Sequence, residues 1–228
     1  SRVAVLIGGT RGLGAERVAS LVSRRCEVAL TYVRGRKEAL GLAPEYGADV
    51  LAMRADGGNV AACTAVAEEV LKRWDHMDIL VCNAAPPMAP VRVDAGSVVR
   101  IQDHVRRALA LVAAPLGVFL PRMQSRSGDV VLVSSAYVRD FPAEWPQYVA
   151  AKSATEGLLR VAALQYPGLR FIILRPPRLQ TDMTNSPTGW LSATPPAVVA
   201  EALAEYLASG HGGVRISTNV ALIEEFQY

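Results

Sequence analysis

Cysteine is scarce in this chain, at three among 228 residues, and Cys26, Cys63 and Cys82 are odd in number with no CxxC spacing. That pattern supports neither a disulfide framework nor a cysteine-built metal site, and thiols buried in a reducing compartment are expected. No run of about 18 apolar residues is present to span a bilayer. The opening SRVAVLIGG is too short and too soon Gly-rich for a signal peptide. Charge of one sign is also lacking: 24 basic and 21 acidic residues are intermixed to a net +3, with no basic stripe to track nucleic acid or an anionic membrane. Repeats, linkers and low-complexity tracts are missing too. These absences point to one cytoplasmic domain, residues 1–228, with neither nucleic acid nor membrane as a partner. An initiator Met is absent and the first strand begins at about Arg2, which fits either a trimmed leader or a domain cut from a larger protein.

What is present is alternation. Short β-branched runs at 2–7, 27–32, 49–54, 78–82, 129–134 and 170–174, with a weaker one at 213–217, predict about seven strands. Amphipathic stretches at 12–24, 36–46, 59–74, 98–123, 147–165 and 196–209 predict helices between them. Strands apolar on both faces, each followed by a helix, predict an α/β fold: a doubly wound, Rossmann-type parallel sheet with helices on both sides. Ligands of such sheets bind outside the carboxyl ends of the strands, so chemistry is sought just after each strand.

After the first strand comes GGTRGLG, with Gly8, Gly12 and Gly14 spaced G-x-x-x-G-x-G. Glycine there permits a tight turn and close backbone approach to a pyrophosphate resting on the helix N-terminus. Thr10, Arg11 and Leu13 complete this cofactor loop. The second strand ends at Tyr32, where NAD-binding folds of this kind usually carry a carboxylate for the ribose 2′-hydroxyl. With Tyr32 in that place, and Arg34 and Arg11 nearby, the 2′-phosphate of NADP (NADPH) is the expected ligand. The alternative is that Arg34 and Arg36 are solvated loop charges.

In this order and at these separations, GGTRGLG, the CNAA of residues 82–85, Ser135 and the Tyr148-x-x-x-Lys152 pair resemble the short-chain dehydrogenase/reductase family in its compact single-domain form. The resemblance covers essentially the whole chain. It implies that Tyr148 is the general acid in reduction, that Lys152 lowers the tyrosine pKa and hydrogen-bonds the nicotinamide ribose, and that Ser135 holds the substrate carbonyl oxygen. Residues four apart share one face of a helix, so Tyr148 and Lys152 can address one site together. Ser134 is the alternative to Ser135 on spacing. The resemblance further implies cofactor contacts from Asp56 and Gly57 after the third strand, from Asn83, Ala84 and Ala85 after the fourth, and from Pro176 and Thr181 after the sixth.

Several positions depart from the family pattern. Ile7 replaces a mainly structural Thr. Pro177 stands where the family has Gly, removing a backbone donor and fixing φ. The catalytic Asn of the family should fall near Arg107 or Ala108, yet no Asn occurs between Asn83 and Asn185. Either Gln102 or His104 substitutes, although both read as surface groups, or the relay that this Asn serves is impaired. The carboxyl end, GGVRISTNVALIEEFQY, lacks the usual final strand and Gly-Gly tail, so a monomer or at most a homodimer through the long helices is expected.

A short segment after Thr181, with Trp190 and Leu191 as apolar members, suggests an open cleft that Trp145 could also line. CNAAPP, AEWPQYVAAK and RPPRLQTDMTN resemble the reductase domains of polyketide and nonribosomal peptide megasynthases. The expected function is NADPH-dependent reduction of a ketone, on a small molecule or a carrier-protein-tethered acyl chain. The alternative is a degenerate member with a binding or structural role.

Overall fold

The computed structural model describes residues 1–39, 41, 47–180, 193–209, 215–217 and 221–226. Its frame is one sheet whose strands are β1 (Arg2–Ile7), β2 (Cys26–Tyr32), β3 (Val50–Arg54), β4 (Ile79–Cys82), β5 (Asp129–Val133), β6 (Arg170–Arg175), β7 (Arg215–Ser217) and β8 (Ala221–Phe226). They lie in the order β3-β2-β1-β4-β5-β6-β8-β7. Strands β1 to β6 pair in parallel, and β8 pairs antiparallel with both β6 and β7. The doubly wound class expected from the alternation is therefore the fold. The carboxyl end differs from the sequence reading: β8 supplies a strand there, because Leu174 pairs with Ile223 and Phe171 stacks on Phe226.

The helices are α1 (Leu13–Val22), α2 (Val60–Trp74), α3 (Val98–Met123), α4 (Tyr137–Asp140), α5 (Pro146–Gln165) and α6 (Pro196–Ser209). Boundaries follow local chemistry. The Asn59 side chain accepts the Ala62 N–H to start α2, and Asp75, in the left-handed region at φ 62°, ends it. Pro146 opens α5, where its missing N–H costs nothing. Of the expected helix at 36–46, residues 36–39 are helical, and residues 40 and 42–46 lie outside the described residues.

Alternating strand residues feed two cores. Val5, Ile7, Leu80 and Leu132 face one side with Val70, Phe119 and Leu159, which come from α2, α3 and α5. Ala4, Leu6, Val81 and Val131 face the other with Val18, Leu21 and Leu203 of α1 and α6. Burying each large side chain of this kind contributes about 1.5–3 kcal/mol, so the strands carry apolar residues toward both faces. The stretch Ala95–Met123 is long and apolar enough to cross a membrane by composition, but half of it is buried within the protein as a core helix. Cys26, Cys63 and Cys82 are buried and free. The strand order reverses between β1 and β4, and a crevice opens at their carboxyl ends.

Candidate active site

The crevice is a cleft of about 900 Å³ whose walls are built from the turns after β1, β2, β3, β4, β5 and β6. Gly8, Thr10, Arg11, Gly12 and Leu13 line it after β1, Tyr32 and Arg34 after β2, and Asp56 and Gly57 after β3. Asn83, Ala84 and Ala85 follow β4, Ser135 follows β5, Pro176 follows β6, and Tyr148 and Lys152 enter from α5. One fold feature thus gathers sixteen residues that are remote in the chain. Gly14 stands just behind the wall. Thr181, Trp190 and Leu191 lie outside the described residues, and Trp145 sits at the N-cap of α5, away from the cleft lining.

The glycine loop is suited to a dinucleotide on steric grounds. Gly12 caps α1 at φ 52°, in the region that disfavours side chains, and offers no side-chain cap. A Cβ on Gly14 would come within 2.5 Å of the Gly8 carbonyl oxygen. The loop is pinned from below by Asn83, whose Nδ2 donates to Gly8 O at 2.6 Å and whose Oδ1 accepts from Arg17 Nη1 at 3.0 Å. Arg17 was not evident as a site residue from the motifs, although its place between Leu13 and Leu21 on the inward stripe of α1 is the signal that could have found it. It is 1% exposed, and burial pushes its pKa down to about 9.

At the inner end of the cleft, the Ser135 hydroxyl lies beside the Tyr148 phenol and favours its charged form. Ser135 Oγ also accepts the Tyr137 N–H at 3.2 Å. Ser134 is turned away, donating to Glu156 Oε1 at 2.5 Å, so Ser135 is the serine that faces the tyrosine. Lys152 Nζ donates to Val133 O at 2.7 Å and lies 5.6 Å from the centre of the Tyr148 ring. Burial dominates the electrostatics of this pair. It pushes Tyr148 above its ordinary value, with the Ser135 hydroxyl pulling the other way, and lowers Lys152 to about 8. The expected lowering of Tyr148 by a nearby ammonium is therefore not what the protein does alone, because both groups lose water together. The raised value keeps Tyr148 protonated, the form an acid requires.

Behind this constellation stands a network that the motifs gave no reason to seek. Glu156, one turn beyond Lys152, receives Arg175 through both carboxylate oxygens, at 2.8 and 2.6 Å, as well as Ser134. Arg175 continues to Glu224 of β8 at 2.9 Å, and Arg160 joins Glu224 at 2.6 Å. Of the two residues considered in place of the family Asn, Gln102 is exposed, whereas His104 is buried beside Tyr148, with ring centres 6.4 Å apart. The surface reading of His104 is thus corrected: α3 turns it inward, one turn before the buried Ala108.

The sequence profile of the short chain dehydrogenase family matches residues 2–191. The chain belongs to that family of oxidoreductases. An NADP-dependent mannitol dehydrogenase from Aureobasidium melanogenum is 26% identical over 174 residues, covering 72% of this chain and 65% of that protein, so the chain spans less than two thirds of it. Among solved structures, an alcohol dehydrogenase from Thermococcus sibiricus complexed with 5-hydroxy-NADP superposes with TM-score 0.78 at 23% identity, covering 91% of this chain and 90% of the other. A 3-ketoacyl-(acyl-carrier-protein) reductase from Brucella melitensis complexed with NADH gives TM-score 0.80 at 22% identity, with coverages of 90% and 89%. At these identities the two structures speak for the short-chain dehydrogenase fold alone.

Proposed function

We propose that this short-chain dehydrogenase is an NADPH-dependent ketone reductase, and the observation carrying that reading is the placement of Ser135, Tyr148 and Lys152 in one cleft with the glycine loop. Arg11 and Arg34 line the cleft together with Tyr32, which stands where a carboxylate would meet the ribose, so a 2′-phosphate there would meet two cations. The NADP named for the mannitol dehydrogenase and the alcohol dehydrogenase supports the same choice, while the NADH of the ketoacyl reductase makes it one to test. The bound nicotinamide supplies the hydride. Ser135 Oγ holds the substrate carbonyl oxygen, and Tyr148 Oη gives its proton to that oxygen as the carbon is reduced. Lys152 would anchor the cofactor ribose and places positive charge beside Tyr148, and Pro176 would border the nicotinamide.

The substrate we favour is a β-ketoacyl thioester on a carrier protein. The resemblance to megasynthase reductase domains supports it. We place the chain in the cytoplasm as a single-domain monomer or homodimer. Replacing Tyr148 by Phe is expected to lower kcat for reduction by roughly 10²–10⁴-fold with NADPH binding retained, measured from the loss of reduced-cofactor absorbance. Unchanged turnover would overturn the mechanism. The lack of the family Asn near Arg107 or Ala108, and Pro177, favour a second reading, a cofactor-binding member without catalysis. Tight NADPH binding with no turnover on either free ketones or carrier-bound thioesters would select it.

A further inference from the structure

Arg178, which follows β6, is exposed and lines the cleft. Its backbone is held in place: the Thr194 N–H donates to Arg178 O at 2.9 Å, the Gln180 N–H donates to Thr194 O at 3.0 Å, and Leu179 bridges to Thr194. Arg178 Nη2 donates to the Tyr137 hydroxyl at 3.3 Å. Tyr137 opens α4, its N–H donates to Ser135 Oγ at 3.2 Å, and its ring stands edge-on to that of Tyr148, with centres 6.1 Å apart and planes at 83°. The guanidinium is thereby set one aromatic ring away from Tyr148, on the side of the cleft where β5 and β6 end.

A guanidinium carries five N–H donors in a planar fork suited to carboxylate and phosphate. Arg178 spends one of them on a neutral hydroxyl and has no carboxylate partner among the described residues. The Tyr137 hydroxyl accepts that bond and keeps its own proton to give. Among the described residues that line the cleft the one carboxylate is Asp56, after β3, five strand spacings from β6 and on the order of 20 Å away. The cofactor's anionic groups would lie over the glycine loop after β1 and beside Arg11 and Arg34, so they leave Arg178 without an anion.

We propose that Arg178 and Tyr137 form an anion-binding subsite at the substrate end of the cleft, and that the ketone reduced here carries a carboxylate or phosphate that this pair receives. The guanidinium fork takes two oxygens of the anion and the Tyr137 O–H adds a third bond beside it. Arg178 and Tyr137 then decide which ketones are held with their carbonyl at Ser135 and Tyr148. The inference rests on the reductase reading for that placing of the carbonyl. The anion has two sources with the same chemistry, the carboxylate of a free keto acid and the phosphate of a carrier-protein arm.

The test measures affinity by calorimetry with the oxidised cofactor bound, which cannot reduce a ketone. One pair of probes is levulinate and its methyl ester, and the other is acetoacetyl-phosphopantetheine and acetoacetyl-pantetheine. In one of the pairs the anion is expected to bind roughly tenfold or more tighter than its neutral analogue, and that pair names the source. The ratio is expected to fall to near one in Arg178→Met and by a few-fold in Tyr137→Phe. Equal affinities within both pairs, or a ratio that survives in Arg178→Met, would overturn the subsite. Supplying NADPH in place of the oxidised cofactor keeps the two readings apart: an anion preference without turnover retains the subsite and overturns the reductase, and turnover without an anion preference does the reverse.

Discussion

Lys152 shows at the scale of one residue that a site can be held against its own stability. Its pKa falls from 10.5 to about 8 through burial, so below pH 8 the folded state carries a buried ammonium that the unfolded chain would hydrate. Between pH 8 and 10.5 the unfolded chain holds the extra proton, and stability contributed at this position rises with pH across that window. Lys152→Met removes the buried charge and keeps an apolar stem. It is expected to stabilise the ligand-free protein by about 1–3 kcal/mol near pH 7, read by urea denaturation, while suppressing turnover. A destabilised Met variant would show that the bond to Val133 O outweighs the desolvation. The Tyr148 and Lys152 pair was legible in the sequence because spacing of four is a local property. The direction of the tyrosine shift was not, because burial is set by what packs around it.

At the scale of elements, the decisive arrangement is the union of α5, β6 and β8 through buried charges. Glu156 of α5 and Arg175 of β6 form a two-pronged pair with exposures of 8% each, and Glu224 extends it to β8. Arg175→Ala leaves Glu156 with Ser134 as its remaining partner in this network. A loss of about 3–5 kcal/mol is expected, together with reduced kcat, since Glu156 stands one turn from Lys152. Urea denaturation beside steady-state kinetics would read both; a loss under 1 kcal/mol would mean that water replaces the guanidinium. Glu156 could be placed one turn beyond Lys152 from spacing alone, and Arg175 directly before Pro176, but nothing local joins them. The glycine loop is the opposite case. Its sequence pattern announced the turn, and the 2.5 Å approach to Gly8 O at Gly14 supplies the reason. Gly14→Ala is expected to weaken NADPH binding by roughly tenfold or more, as the loop shifts to relieve the contact, measured by cofactor fluorescence.

At the scale of the whole molecule, the cleft forms because the sheet reverses direction between β1 and β4 and leaves six turns converging at one edge. Cofactor preference belongs to this scale, since Arg11 comes from the first turn and Arg34 from the second. Replacing Arg34 by Glu is expected to lower the ratio of NADPH to NADH affinity by about tenfold or more, from one lost charge-assisted contact and one added repulsion. An unchanged ratio would assign the 2′-phosphate to other groups, with Arg34 merely solvated.

The sequence by itself determined the class of fold, the strands β1 to β6, the glycine turn and the shared face of Tyr148 and Lys152. Each of these depends on periodicity or short spacing, and side-chain direction along a helix or strand follows from position alone. Tertiary structure decided what depends on packing between distant segments: β8 closing the sheet beside β6, Ser135 rather than Ser134 facing Tyr148, Arg17 beneath the loop, and His104 turned inward against Tyr148. The polar and charged side chains among these sit in surroundings assembled from several elements, and burial there changes which protons and hydrogen bonds they keep.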